Sequence, residues 1–283
     1  MPRLYLMHPI GRFMIASTAL PLAAPAFPWA APALVGSWAA LHGLFLWSLL
    51  RSGGNLYAPN IRRGRGDAAA LTFDDGPRGD ETRALLDLLA AEGIRATFFV
   101  VGRRAREDPE VIRRLVREGH TLGNHTQSHP VGWAAAGRRR VLEEVGGAQE
   151  TLAGLTGEAP EWFRPPMGHK NVYLREALQK HGLRQVTWST RSWDTLVRRP
   201  AAVAGRILKR AAPGEIILLH EGLREGRDGR AMAIDLARLL IEGLRSRGLR
   251  PVGLRELLTG RAPGTDGPSP GSRRAARSDG PAH

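Results

Sequence analysis

Cysteine is absent from this 283-residue chain. Disulfides and thiolate metal sites are therefore excluded, and any bound metal must be held by His, Asp or Glu. Lysine is scarce, occurring only at 170, 180 and 209, so the net charge of +14 is almost all arginine. No basic run with interleaved aromatics and no nucleic-acid-binding signature accompanies that charge. We read it as solvated surface beside an anionic membrane, and nucleic acid is not expected as a partner. A glycine-rich nucleotide turn is also missing, which argues against a dinucleotide-binding sheet. Finally, residues 13–50 contain no Asp, Glu, Lys or Arg.

That charge-free stretch has room for two short membrane spans, near 13–30 and 34–50, since one spanning helix needs roughly 20 apolar residues. Prolines at 25, 28 and 32 suit a turn between them, and arginines flank both ends (Arg3 and Arg12; Arg51, Arg62, Arg63 and Arg65). The positive-inside rule then favours a hairpin anchored in a bacterial-type inner membrane, with both termini and the folded domain cytoplasmic. A competing reading takes Arg3, Arg12, a short apolar core and "APA" at 24–26 as a secretory signal, or the whole stretch as a signal-anchor, either of which puts the rest of the chain outside. The expected division is a membrane segment (1–52), a linker (53–66), a folded domain (67–260) and a tail (261–283). The tail has almost no large apolar residues and is expected to be disordered.

Between 67 and 260, short apolar runs alternate with helix-period segments. Strands are predicted at 69–73, 96–101, 120–123, 162–164, 185–188, 215–219 and 251–253. Helices are predicted at 82–91, 109–118, 137–155, 174–181, 201–212 and 230–247. Helices between short, almost wholly apolar strands imply βα units and a parallel sheet. About seven such units suit an α/β fold closed, or nearly closed, into a barrel, with an open doubly wound sheet as the alternative.

Polar residues fall at the ends of the predicted strands. "LTFDDGP" puts Asp74 and Asp75 after the first, "NHTQSHP" puts His125 and His129 after the third, and "WFRPPMG" puts Arg164 at the end of the fourth. Asp194 in "WSTRSWDTL" lies just beyond the fifth, and His220 in "IILLHEG" ends the sixth. In a parallel barrel all these ends open on one face, so the residues can meet at one mouth. Two imidazoles and one carboxylate are a standard set of zinc ligands with a position left open. Asp74 or Asp75 supplies the carboxylate, and the other is free to accept a proton. Arg164 sits among aromatics and prolines, and a buried guanidinium there needs an anion, for which an Asp of the site is the partner. His220 emerges from an apolar run and can serve as an acid, with Asp194 potentially near.

Taken together, "TFDDGP", "HTQSHP", "FRPPMG" and "LLHE", with the looser "WSTRSWDTL", resemble the polysaccharide deacetylase family of metal-dependent carbohydrate esterases over roughly 67–260. The resemblance implies a distorted (β/α)7 barrel that hydrolyses the acetyl group of an N-acetylated sugar, in an envelope glycan or glycolipid, and releases acetate. It implies Asp74 as general base, Asp75, His125 and His129 as ligands of a divalent metal, and Arg164 as the residue orienting Asp74. It further implies His220 as general acid adjusted by Asp194, Leu218 lining the acetyl-methyl pocket, and the Met167 N–H as an oxyanion donor. Zinc suits the ligand types; cobalt, nickel or manganese can substitute. The sequence departs from the family pattern at Met167, where Tyr is common, at Thr195, where Trp is frequent, and at Glu221, where Asp is frequent. An O-acetyl ester or a non-sugar amide is the alternative substrate, and a non-catalytic glycan-binding membrane protein is the alternative class.

Overall fold

The computed structural model describes Ser17, Pro21 and residues 25–55, 57–225 and 230–260, without the side chains of 224, 225 and 230. The expected first span, near 13–30, lies mostly outside the described residues, and the expected disordered tail lies wholly outside them.

A main sheet of nine strands carries the fold. These are β1 (Asn60–Ile61), β2 (Ala68–Gly76), β3 (Thr97–Val100), β4 (Thr121–Asn124), β5 (Trp162–Phe163), β6 (Arg184–Val186), β7 (Thr190–Arg191), β8 (Glu215–His220) and β11 (Arg250–Val252). A separate hairpin pairs β9 (Arg224–Glu225) with β10 (Arg230–Ala231). The strand order is β1-β6-β5-β4-β3-β2-β8-β7, with β11 also on β2, and every pairing in the main sheet is parallel. The crossovers are α2 (Asp80–Ala91), α3 (Gly102–Glu107), α4 (Pro109–Arg117), α5 (Arg138–Thr156), α6 (Leu174–His181), α7 (Pro200–Leu208) and α8 (Met232–Arg245); α9 (Leu254–Thr259) follows β11.

Two features bend the sheet into a distorted, incomplete barrel. Strands β6 and β7 are halves of one stretch, of which the first pairs with β5 and the second with β8. On β2, residues 68–70 pair with β11 and 72–76 with β3 along one edge, while β8 takes the other.

Side-chain alternation sorts the core into two layers. Ala68 and Ala70 of β2 and Ile216 and Leu218 of β8 pack with Phe99, Trp162, Val186 and Trp188 inside the barrel. Ala69, Leu71, Phe73, Ile217 and Leu219 pack outward against Leu85, Leu89, Leu236 and Leu240 of the helices. Each fully buried Leu, Ile or Phe contributes about 1.5–3 kcal/mol, so slipping the register of β2 by one residue would exchange the two layers at great cost. The same alternation continues the inner row through Thr72 and Asp74 on β2 and His220 on β8, at the carboxyl end.

Ahead of the barrel lies α1 (Ala31–Leu50), with Pro in its first turn. Twenty residues span about 30 Å. Of its side chains only Leu49 is buried, while Leu41, Leu44, Leu46 and Trp47 are exposed. Among the described residues it is the one helix long and apolar enough to cross a membrane, and it suits an anchor or a signal sequence alike. The chain that follows is packed on the barrel: Tyr57 and Ala58 are buried, and β1 pairs with β6.

Candidate active site

Adjacent residues of a regular strand face opposite sides, so Asp74 and Asp75 would be parted if β2 ran straight. It does not. The register between β2 and β3 shifts between Asp74 and Gly76, and Asp75 takes φ 70°. A bulge of this kind re-aims a side chain. As a result both carboxylates face one imidazole: His125 Nε2 lies 3.9 Å from Asp74 Oδ2 and 3.8 Å from Asp75 Oδ1.

His125 directly follows β4 and is buried. Its Nδ1–H donates to the Arg164 carbonyl at 2.7 Å, which leaves Nε2 free to act as a ligand. Burial lowers its pKa against the raising pull of Asp74 and Asp75, which favours the neutral imidazole. His129 approaches from the loop beyond, its Nε2 3.2 Å from Asp75 Oδ1. This loop is strained, with φ 67° at Thr126 and 54° at His129. The Thr126 Oγ1 accepts the His129 N–H at 3.1 Å and holds the bend. Non-glycine residues in this region cost about 1–3 kcal/mol each and persist where the surroundings over-determine them.

Asp75, His125 and His129 each offer a ligand atom, all within 4.8 Å of one another. The buried Asp75 Oδ1 has no hydrogen-bond partner. Burial pushes the Asp75 pKa up, yet His125, His129, His220 and Arg104 together hold it below the usual value. An ionised, unsatisfied oxygen facing two imidazoles fits a divalent cation.

The other carboxylate is engaged differently. Arg164, with none of its surface exposed, sends Nη1 to Asp74 Oδ1 at 2.7 Å and to Thr72 Oγ1 at 2.8 Å. Its Nη2 donates to the Thr187 carbonyl at 3.1 Å, and Cζ stacks 4.0 Å from the Phe99 ring centroid. Gly123 permits that stack, since a Cβ there would come within 2.4 Å of Phe99. Across the mouth, Asp74 and His220 are register partners on β2 and β8. Asp194 accepts the His220 Nδ1–H at 2.7 Å through Oδ1 and the His220 backbone N–H at 3.0 Å through Oδ2. Burial lowers the His220 pKa, but the hydrogen bond and charge of Asp194, with the charges of Asp74 and Asp75, outweigh it, and the net shift is upward.

Seven of the sequence-predicted residues thus converge on one mouth: Asp74, Asp75, His125, His129, Arg164, Asp194 and His220. Leu218 lies two residues below His220 in the inner row, opposite Thr72 and buried. Met167 stands on the loop after β5 with φ 56° and its side chain partly exposed. Sequence reasoning missed three supporting residues. Thr72 shares Arg164 with Asp74. Arg104 lies 3.9 Å from Asp75 Oδ1 and bonds the Asp75 carbonyl. Glu144 on α5 accepts Ser128 N–H at 2.8 Å and Ser128 Oγ–H at 2.6 Å, pinning the residue before His129. A signal existed for Glu144 alone, an acid beside Val141 and Val145 on a buried helix face.

Glu221, the residue after His220, is buried; it accepts a bond from Thr82 through Oε2 and leaves Oε1 without a partner. Burial pushes its pKa from 4.5 up to about 8. A carboxyl raised in the folded state binds a proton on folding between those values. Its stabilising contribution is therefore full below pH 4.5 and lost as pH rises to about 8. Glu221→Gln, which is always neutral, is expected to raise Tm at pH 8 and leave it nearly unchanged at pH 4. A calorimetric Tm difference of equal size at both pH values would contradict this account.

Comparison with known proteins matches these observations. The sequence model of the polysaccharide deacetylase family fits residues 62–186. The chain is 36% identical over 186 residues to a chitooligosaccharide deacetylase of Azorhizobium caulinodans, covering 63% of this chain and 88% of that protein. Among solved structures, a family 4 carbohydrate esterase from Streptomyces lividans in complex with acetate is similar at TM-score 0.60 and 33% identity, over 70% of this chain and 97% of that one. A peptidoglycan N-acetylglucosamine deacetylase is similar at TM-score 0.64 and 29% identity, over 70% and 92%. With 36% identity over 88% of the length of the Azorhizobium deacetylase, and the family's sequence model fitting residues 62–186, the chain belongs to the polysaccharide deacetylase family.

Proposed function

We propose that the protein removes the acetyl group from an N-acetylated amino sugar of an envelope glycan or glycolipid. As a member of this family it is a hydrolase acting on carbon–nitrogen bonds. The observation that carries the finer reading is the unequal engagement of the two neighbouring acids: Asp74 is tied to Arg164, and Asp75 faces two imidazoles.

In this reading Asp75, His125 and His129 hold a divalent ion, with zinc preferred by the ligand set. When bound there, such an ion polarises the acetyl carbonyl and lowers the pKa of a coordinated water towards about 7. Asp74 takes the proton of the attacking water on Oδ2, while Arg164 fixes Oδ1. The Met167 N–H donates to the oxygen that gains charge, a contribution typically of about 2.7–4 kcal/mol per donor. Leu218 underlies the space for the acetyl methyl. His220, its Nδ1–H held by Asp194, gives the proton on Nε2 to the departing amine. The water oxygen ends on the acetyl carbon, the C–N bond breaks, and acetate and a free amino sugar leave.

Residues 67–260 form the catalytic domain in this proposal. Residues 1–52 form its membrane segment, with α1 as the anchor, 53–66 join the two, and 261–283 are a tail. Stripping the protein with a chelator is expected to abolish acetate release from N-acetylglucosamine oligomers, and added Zn²⁺ to restore it. Undiminished turnover in a preparation shown metal-free by elemental analysis would defeat the reading.

A further inference from the structure

Lys170 and Asn171 are almost wholly buried, and the chemistry above uses neither. The Lys170 Nζ donates to the carbonyls of Arg51 and Ser52, at 2.7 Å each, and its backbone N–H donates to the Leu49 carbonyl at 2.7 Å. Carbonyls at a helix end lack intrahelical partners and carry the negative end of the dipole, so an ammonium is matched there. Burial, with Arg62 and Arg51 nearby, lowers the lysine pKa to about 8, which leaves it mostly protonated at neutral pH.

Asn171 grips the other side. Its Nδ2 donates to the carbonyls of Trp133 at 2.9 Å and Ala136 at 2.8 Å, and Trp133 Nε1–H donates to the His169 carbonyl at 2.9 Å. One dipeptide therefore joins the end of α1, the loop carrying His129 and the loop carrying Met167. Gly168 adds to the closeness, since a Cβ on it would lie 2.8 Å from Ser52 Cβ. Only Gly168 and His169 lie between Met167 and Lys170, three Cα steps or about 10 Å at full stretch.

The helix is thus bolted to the mouth with no slack between them. The loops around the mouth also expose apolar side chains: Val131 at 88%, Leu196 at 72%, and Trp193 and Met167 in part. Apolar and aromatic tips of this kind suit the boundary between headgroups and acyl chains, and Arg51 and Arg62 suit its anionic side.

We propose, on the basis of the deacetylase reading above, that this joint holds the mouth against the bilayer surface at which α1 ends, and that the substrate is an acetylated amino sugar carried on a membrane lipid. A polymer remote from the bilayer is out of reach of a site fixed in this way, whereas a lipid-borne sugar is concentrated at its opening.

The test uses the full chain in phosphatidylethanolamine–phosphatidylglycerol vesicles. Because the chain has no cysteine, Val131→Cys or Arg247→Cys each places a single dye, at the mouth or in the turn leading into β11 at the opposite end. Brominated lipids are expected to quench the dye at 131 severalfold more than at 247; equal quenching overturns the proposal. In parallel, acetate release is read from a vesicle-borne N-acetylglucosaminyl lipid and from soluble tetra-N-acetylchitotetraose. Lys170→Met is expected to cut release from the lipid-borne sugar about tenfold and leave the soluble one within about twofold, since only the former depends on local concentration. An equal loss on both substrates overturns the proposal and leaves Lys170 a structural role. Failure of the unchanged protein to act on either substrate overturns the deacetylase reading, and this inference with it.

Discussion

Asp74→Asn is expected to lower kcat for acetate release by about 10²–10⁴, the usual contribution of a positioned general base, while the protein still takes up one equivalent of metal. The two halves of this expectation come from different contacts. Asp74 Oδ1 is committed to Arg164 at 2.7 Å, while Oδ2 faces the cluster, 3.9 Å from His125 Nε2. An amide at this position keeps the shape of the side chain but cannot accept the water proton. The proposed metal ligands, Asp75, His125 and His129, are other residues, so binding of the ion should survive. The substitution also leaves the Arg164 charge without an anion in a fully buried position. Breaking a buried pair from one side costs about 3–5 kcal/mol, so the variant should melt earlier than the parent. Assays must therefore run well below its lowered Tm, with metal content measured on the same sample. A folded, metal-loaded Asp74→Asn enzyme that turns over within tenfold of the parent would remove Asp74 from the chemistry.

Much of this site could be read in the chain before any fold was known, and the reason is specific. The strands are short and almost wholly apolar, so a charged residue at a strand end stands out: Asp74 after "AALTF", His220 after "IILL" and Arg164 after "WF". All seven predicted strands are present as β2, β3, β4, β5, β6, β8 and β11, and the clearest of them, β2, β3 and β8, are buried almost throughout and so read as continuous hydrophobic runs. What escaped lacks such a signal. Strands β1 and β7 have two residues each, too few for any period. Helix α3 reads "GRRARE", with Ala105 as its one large enough apolar contact. The bulge at Asp75 is invisible in sequence, because "DDGP" also describes an ordinary turn; only the register shift reveals that the two acids are turned to one side. Thr72 was missed because it acts through Arg164, a contact that joins distant parts of the chain. The joint at Lys170 was missed for the same reason, since it bonds residues more than a hundred positions upstream.

Asp194→Asn is expected to lower kcat on N-acetyl substrates by about 10²–10⁴, the contribution of a general acid, and to move the alkaline limb of kcat/KM to lower pH. The sign follows from the surroundings of His220. Burial alone lowers the imidazole pKa, and the hydrogen bond and charge of Asp194, aided by the charges of Asp74 and Asp75, reverse that, so the parent keeps the imidazolium to a higher pH than an ordinary histidine. Activity that needs this proton is present below the raised pKa and falls as pH passes through it. Removing the charge leaves burial opposed only by the more weakly acting Asp74 and Asp75, and the fall begins at lower pH. The amide also loses the second carboxylate oxygen, which accepts the His220 backbone N–H at 3.0 Å, so the ring orientation slackens as well. Amide and ester substrates should then part company. An amine leaves poorly without a proton, whereas a sugar alkoxide is a better leaving group, so O-acetyl turnover should fall less than N-acetyl turnover in the same variant. Parallel pH profiles of acetate release from N-acetylated and O-acetylated chito-oligomers measure both effects. An alkaline limb that stays in place, or equal losses on the two substrates, would show that His220 does not deliver the proton to the leaving nitrogen, and the acid would have to be sought elsewhere at the mouth.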